Sequence, residues 1–281
     1  MYKFIIFIMA LALATLACGG NINVPKPPQP GPDVTDEINV PYPDADEVNL
    51  KLSFGAGELT LNPGAELLVD GTATYNYDEL KPETIVDGGD IEVQIGDGNF
   101  KIFPNLDDLK NEWDLKLGSQ PMNLNIDSGA YEGKFELGGL ALTRLDISDG
   151  ASNVELSFSE PNPVEMSTFT YNTGASDVSM TGLANANFSL FDFSSGAGDY
   201  TLDFSGELQR DASIKIESGL SNVILVIPDG VNAVVTVEEG LSNVNAGPGW
   251  SRSGNDYVQN GEGNTLTFVI EMGAGNLTLT H

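Results

Sequence analysis

Histidine is nearly absent from this 281-residue chain: its one copy is His281, the last residue of the sequence. That excludes serine–histidine and cysteine–histidine catalysis and histidine-based zinc sites, and with them many hydrolase classes. Cysteine is equally scarce, and the single copy, Cys18, has no partner for an internal disulfide. Basic residues are few: 12 Lys and Arg stand against 41 Asp and Glu, a formal charge of −29. Beyond Lys134 only Arg144, Arg210, Lys215 and Arg252 are basic, against 19 acidic residues. Nucleic acid and anionic lipid headgroups are therefore poor partners for the body of the protein, and the acidity reads as a solvated surface. After residue 18 no run longer than about two turns carries apolar residues at helical spacing; Leu106–Leu115 is the best candidate for a helical turn. No glycine-rich stretch ends in Gly-Lys-Ser/Thr, so a phosphate loop is excluded.

What the chain has instead is a repeat. Gly55, Gly129, Gly150, Gly174, Gly196, Gly219, Gly240 and Gly273 recur in similar surroundings, and from Gly129 to Gly240 the steps are 21, 24, 22, 23 and 21 residues. Typical copies are Gly150-Ala151-Ser152-Asn153-Val154, Gly174-Ala175-Ser176-Asp177-Val178 and Gly219-Leu220-Ser221-Asn222-Val223. Apolar and polar residues alternate on both sides of each glycine, as in Leu145-Asp146-Ile147-Ser148 and Val154-Glu155-Leu156-Ser157. Period two on both sides predicts two half-buried strands joined at a glycine corner, with glycine supplying a positive φ. Looser turns such as Glu160-Pro161-Asn162-Pro163 and Pro228-Asp229-Gly230 close each unit. The expected fold is all-β, a right-handed parallel β-helix-like solenoid with coils of about 22 residues, preceded by an irregular β cap.

The amino-terminal residues read as an address. Lys3 precedes an apolar run from Phe4 to Leu13, and small residues lead to Cys18. This is a secretory signal resembling that of a bacterial lipoprotein, in which Cys18 is freed and acylated, giving an exported protein held to a membrane by an amino-terminal lipid and facing the periplasm or cell exterior. Ordinary signal-peptidase cleavage and an uncleaved anchor are the competing readings; the apolar run is short of the roughly 20 residues needed to span. Seven prolines between Pro25 and Pro43 predict an extended tether. The expected organisation is signal 1–17, lipid-anchored tether 18–46, amino-terminal β domain 47–135 and regular solenoid 136–281, with an insertion at 247–263 covering its far end.

Leu50-Lys51-Leu52-Ser53-Phe54-Gly55-Ala56-Gly57-Glu58-Leu59-Thr60-Leu61 and Asn111-Glu112-Trp113-Asp114-Leu115-Lys116-Leu117, together with the later Gly-Ala-Ser-Asn copies, resemble the toast-rack family of bacterial envelope proteins. That family is related to adhesin-like proteins and to the exported domain of cell-wall-active-antibiotic response proteins. The resemblance spans about residues 47–281 and implies a β-solenoid at the cell surface; it brings no catalytic residues.

Some residues still invite a chemical reading. Asp146, Asp149, Asp177, Asp199 and Asp203 lie near repeated corners, where a carboxylate pair would suit glycan cleavage or calcium. The equivalent places, however, are filled interchangeably by Asn153, Asp177, Asp199, Asn222, Asn243 and Asn276, which fits a polar ladder better than a catalytic site. Asp87-Gly88-Gly89-Asp90 and Asp97-Gly98-Asn99 come nearest to a calcium-binding repeat but suit hairpin turns as well. Tyr75, Tyr77, Phe100, Phe103 and Trp113 read as core or as a sugar-stacking platform. No catalytic residue, metal or cofactor is expected. The functions that remain are a non-enzymatic surface lipoprotein for adhesion or contact with an envelope protein or glycan, an accessory binding protein in envelope-stress sensing, or, least supported, a polysaccharide-active β-helix enzyme.

Overall fold

The structure, a computed structural model, describes residues 28–96, 105, 108–238 and 243–281. The signal segment, Cys18, Gly240, Asp97-Gly98-Asn99, Phe100, Phe103 and Leu106 lie outside the described residues. The fold is all-β. Its strands in chain order are β1 (Val34–Val40), β2 (Asn49–Ala65), β3 (Val69–Tyr75), β4 (Pro82–Asp87), β5 (Asp90–Ile95), β6 (Asn111–Gly118), β7 (Met122–Glu136), β8 (Leu142–Ser157) and β9 (Met166–Ala175). There follow β10 (Asp177–Thr181), β11 (Phe188–Asp203), β12 (Ala212–Val226), β13 (Asn232–Val237), β14 (Val244–Ala246), β15 (Ser251–Ser253), β16 (Asp256–Gln259) and β17 (Thr265–Thr280). Short 3-10 turns occupy Asp78–Leu80 and Leu183–Ala186. Of the stretch 106–115 in which a helical turn is expected, Asp108 lies in a 3-10 turn whose N–H donates to the Asn105 carbonyl at 3.1 Å, whereas residues 111–115 are already β6, because Trp113, Leu115 and Leu117 alternate with Glu112, Asp114 and Lys116.

Strands β2, β7, β8, β11, β12 and β17 run through the corner glycine without interruption, so each of these units is one strand with two arms, whereas the Gly174 unit breaks at Ser176 into β9 and β10. Neighbours pair in parallel and in register: Leu145 lies opposite Leu124, Phe169 opposite Leu145, Phe191 opposite Phe169, Ile214 opposite Phe191 and Phe268 opposite Ile214. A second inner row comprises Leu52, Ile126, Ile147, Tyr171, Phe193, Ile216 and Ile270. On the other arm Val154, Val178, Tyr200, Val223 and Leu277 do the same. All of these are buried in one apolar cluster running from Ile38 to Leu279. Each such side chain contributes about 1.5–3 kcal/mol on burial. Rings reinforce the rows, with Phe169 stacked on Phe191 at 4.5 Å between centroids.

The order of the stack departs from the order of the sequence at both ends. β17 sits between β12 and the pair β13/β14, so the unit containing Gly273 rests on that of Gly219, and the unit at 232–246 is outermost. At the other end β2 sits between β7 and the pair β5/β6. Antiparallel strands then cover outer edges: β4 on β5, β3 on β6 with β1 beyond it, and β16 on β13 with β15 beyond it.

Two expected boundaries are corrected. The tether predicted for 18–46 includes β1, whose Ile38 and Val40 are buried while the strand pairs with β3 from Val34–Tyr75 to Val40–Val69. The alternation of Val34, Ile38 and Val40 with polar residues lies between the prolines, and burying it outweighs the extended preference of its flanks. The division at 135/136 falls inside β7, which pairs with β2 on one side and β8 on the other. The stack therefore begins at β2 and β5/β6, not at residue 136.

Candidate functional site

The corner explains its own glycines, though not by the conformation expected. Among the corner glycines described, only Gly55 has a positive φ. The others are required by close approach: a Cβ on Gly174 or Gly196 would stand 2.4 Å from the carbonyl oxygen of the preceding corner glycine, on Gly219 2.5 Å, on Gly150 2.9 Å, and on Gly129 or Gly273 3.0 Å. The column of glycines thus lets successive bends nest. Positive φ appears two residues later, at Gly57, Gly198 and Gly275.

Outside the corner the predicted polar row forms a line of side chains. Asn153 lies in register with Asp177, and Asp177 Oδ1 accepts from the backbone N–H of Asp199 at 3.2 Å. Asn222 Nδ2 donates to Asp199 Oδ1 at 2.7 Å, Asn276 Nδ2 to Asn222 Oδ1 at 2.7 Å, and Asn243 Nδ2 to Asn276 Oδ1 at 2.6 Å. The order follows the stack, with Asn276 between Asn222 and Asn243. In the other direction the same row continues through Glu132, Glu58 and Glu112, which are exposed. One line therefore runs from three carboxylates to three amides. The sequence hides the acidic end, because Glu112, Glu58 and Glu132 belong to β6, β2 and β7, which are neighbours in the stack but do not follow one another in that order along the chain.

The aspartates considered for catalysis do not converge. Asp146 projects from the outer side of the first arm and is held by Arg144, with Nε to Oδ2 at 2.5 Å and a second N–H to Oδ1 at 3.0 Å. The same contact holds the Arg144 guanidinium above its ordinary pKa. Asp149 lies at the corner and accepts from the Tyr171 hydroxyl at 2.9 Å, the Tyr131 hydroxyl at 3.3 Å, the Ser176 hydroxyl at 3.3 Å and the Thr173 hydroxyl. Burial first, then the neighbouring negative charge, pushes both tyrosines well above the usual phenol range. Asp199 belongs to the ladder on the other arm. Asp203 Oδ1 caps the backbone N–H of Ser205 at 2.8 Å. These carboxylates serve local structure, and none faces another across a cleft. The Asp149 cluster was not foreseen; its signal is that the equivalent corner positions, Ser128, Thr173, Ser195 and Ser218, all carry hydroxyls.

Among the described residues no group of three or more His, Cys, Asp or Glu side chains could hold a metal ion. Asp87-Gly88-Gly89-Asp90 is the β4–β5 hairpin, with Asp87 opposite Asp90. The sugar platform is overturned for its described members: Tyr75, Tyr77 and Trp113 are buried. Tyr75 donates to Asp36 Oδ2 at 2.8 Å, and burial together with that carboxylate pushes its pKa up to about 12. His281 has a structural post: Nδ1 lies 3.2 Å from the Ile227 carbonyl and Nε2 against that of Pro248, with Asp229 at 3.3 Å. Those carbonyls, with a smaller part from Asp229, raise its pKa.

Two open grooves mark the surface. One follows Ser194, Ser195, Glu217, Ser218, Glu238 and Glu271 beside the corner. The other lies under β4, between Ile85 and the first-arm residues Lys51, Asn123, Asn125, Arg144 and Asp146. Neither is an enclosed cavity.

Comparison with known proteins agrees with this architecture. Residues 29–168 match the family described as the N-terminal domain of toast_rack, DUF2154. The chain belongs to the toast-rack family. A crystal structure of a candidate cell adhesion protein from Clostridium sporogenes is similar over 89% of this chain and 99% of its own, at 22% identity and a TM-score of 0.51. That likeness is one of fold. A candidate adhesin from Bacteroides fragilis (10% identity, TM-score 0.34, 90% of this chain and 99% of its own) and a candidate lipid-binding protein from Parabacteroides distasonis (11%, 0.37, 90% and 99%) also match, too distantly to carry an argument. No curated protein matches the chain.

Proposed function

We propose that this protein is a non-enzymatic surface lipoprotein that holds an acidic β-solenoid away from a membrane for adhesion or envelope contact. The observation that carries the reading is the disposition of its polar residues. The carboxylates and amides singled out by the repeat are committed to ladders, ion pairs and corner hydroxyls, and the outer faces are regular rows without a converging catalytic group. The parallel register, with partners 21 to 24 positions apart as in Asn123–Arg144 and Asn153–Asp177, supports a right-handed β-helix-like winding with coils of about 22 residues. The cell-adhesion description of the Clostridium sporogenes relative agrees with a surface role. Acylation at Cys18 would supply the anchor. Export and acylation are tested together by metabolic labelling with an alkyne fatty acid: the native chain incorporates label and sediments with membranes, and Cys18→Ala does neither. Adhesion is tested by crosslinking in intact cells followed by purification through a carboxy-terminal tag. Recovery of surface glycan or foreign surface protein supports the reading, whereas specific recovery of one membrane kinase or transporter replaces it with a sensor-accessory role.

A further inference from the structure

Among the described residues, strand β4 offers an unpaired backbone edge beside two exposed aliphatic side chains. It pairs only with β5, and Ile85 and Val86 are 50% and 60% exposed. The Gly96 N–H donates to the Lys81 carbonyl at 2.8 Å. Hydrogen-bonded pairs alternate in an antiparallel ladder, so residues 83, 85 and 87 also turn their backbone groups toward β5. The groups of Pro82, Thr84 and Val86 therefore face outward.

We propose that β4 is a homophilic docking edge, which pairs antiparallel with β4 of a second copy of this chain about a two-fold axis through Thr84. The strand is self-complementary in that register. Thr84 meets Thr84 of the second copy and exchanges two hydrogen bonds with it. Each Val86 N–H meets a Pro82 carbonyl, so the missing N–H of Pro82 removes only one bond per copy. Lys81 falls opposite Asp87 of the other copy in a close, non-hydrogen-bonded pair, forming two ion pairs across the axis. Neither residue has an ion-pair partner within its own chain among the described residues. Asp87 lies instead opposite a like charge, Asp90, an arrangement that a cation from a partner relieves. Such an edge buries little area and belongs with weak, transient contacts, which become effective when many copies are concentrated on one surface. A different protein adding a strand to β4 would have no need of the Lys81–Asp87 register.

The test uses the full chain in its native membrane. Thr84→Cys places two thiols across the axis on Cα atoms about 5.5 Å apart, within disulfide reach; Ser213→Cys, on the exposed side of a central strand, is the control, and both variants keep Cys18. Mild oxidation should give at least about fivefold more homodimer with Thr84→Cys. Adding Lys81→Asp should cut that yield about tenfold, and the double exchange Lys81→Asp with Asp87→Lys should restore it, as expected when like charges are set opposite one another and then paired again. Circular dichroism of each variant confirms that the exposed changes leave the fold intact. Equal crosslinking of Thr84→Cys and Ser213→Cys, a charge exchange that fails to restore the dimer, or a Thr84→Cys product containing another polypeptide would each overturn the proposal.

Discussion

Substituting alanine along the glycine column gives a graded test of close approach as its cause. In Gly174→Ala the new Cβ would stand 2.4 Å from the Gly150 carbonyl oxygen. That is roughly 1 Å inside the usual C···O approach of about 3.3 Å. The obstacle is backbone, and β9 is paired on both sides, with β8 and β11, so neither neighbour can yield without stretching ladder hydrogen bonds. Overpacking of this kind costs about 1–3 kcal/mol, and the alanine recovers only about 0.4–1 kcal/mol by restricting the unfolded chain. Gly129→Ala starts at 3.0 Å, so its smaller clash and the same recovery nearly cancel. For a urea slope of about 3 kcal/mol/M, Gly174→Ala should lower the unfolding midpoint by up to about 1 M, with Gly196→Ala and Gly219→Ala close behind. Gly129→Ala and Gly273→Ala should fall within a few tenths of a molar of the parent. The midpoint can be followed by fluorescence of the buried Trp113 and by circular dichroism. Equal losses at all of these positions would refute the steric argument and point to a common backbone requirement.

Other consequences follow from named side chains. Tyr131 and Tyr171, with pKa values raised in the fold, should stay protonated in an alkaline absorbance titration until the fold opens; because their unfolded forms release protons from about pH 10, stability should fall as pH rises beyond that value. Asp149→Asn leaves four hydroxyls facing an amide in place of a carboxylate, and a loss of about 1–3 kcal/mol in chemical denaturation is expected. Asn222→Asp sets a carboxylate against Asp199 in the ladder, so its unfolding midpoint should drop at pH 7 and recover near pH 3; a deficit unchanged by acid would assign the loss to shape rather than charge. His281 must carry protons on both ring nitrogens to donate to two carbonyls, and its pKa is raised in the fold. The part of its contribution that depends on the second proton is therefore complete below about pH 6.5 and is lost as pH rises through the higher folded value, so the deficit of His281→Ala against the parent should be larger at pH 5.5 than at pH 9.

How much of this was legible depends on whether a feature is local. The alternation around each glycine is a property of consecutive residues, and it located the strands and the line from Asp177 to Asn243. The conformational reason for the glycines was misread because positive φ and close approach leave the same residue in the sequence; only the stacking of Gly174 on Gly150 separates them. The order of units at the two ends was not legible. A 33-residue step from Gly240 to Gly273 reads equally as an insertion within the last unit or as a strand passing inside the one before it. For the same reason the run Glu112, Glu58, Glu132 was invisible: its members become neighbours only because β2 lies between β6 and β7. Asp149 was seen as an acid near a corner, but not the phenols that hold it, since Tyr131 and Tyr171 come from different units.

The exchanged order at the ends has an energetic consequence. In a simple stack the terminal unit has one neighbour, and fraying from a chain end breaks one interface at a time. Here the long strands β2 and β17 each have a neighbour on both sides, and the outermost units are drawn from the chain that lies between them in sequence. Peeling β17 from its carboxyl end must break the ladder with β12, fourteen register pairs from Ala212–Leu266 to Val226–Thr280, together with those to β13 and β14. His281, just past β17, adds contacts to Ile227 and Pro248 that the same peeling would break. Cutting the chain after Gln259, which removes β17, should therefore cost more than one unit: β13, β14 and β16 lose the strand that joins them to the stack, and the exposed face of β12 becomes a new edge.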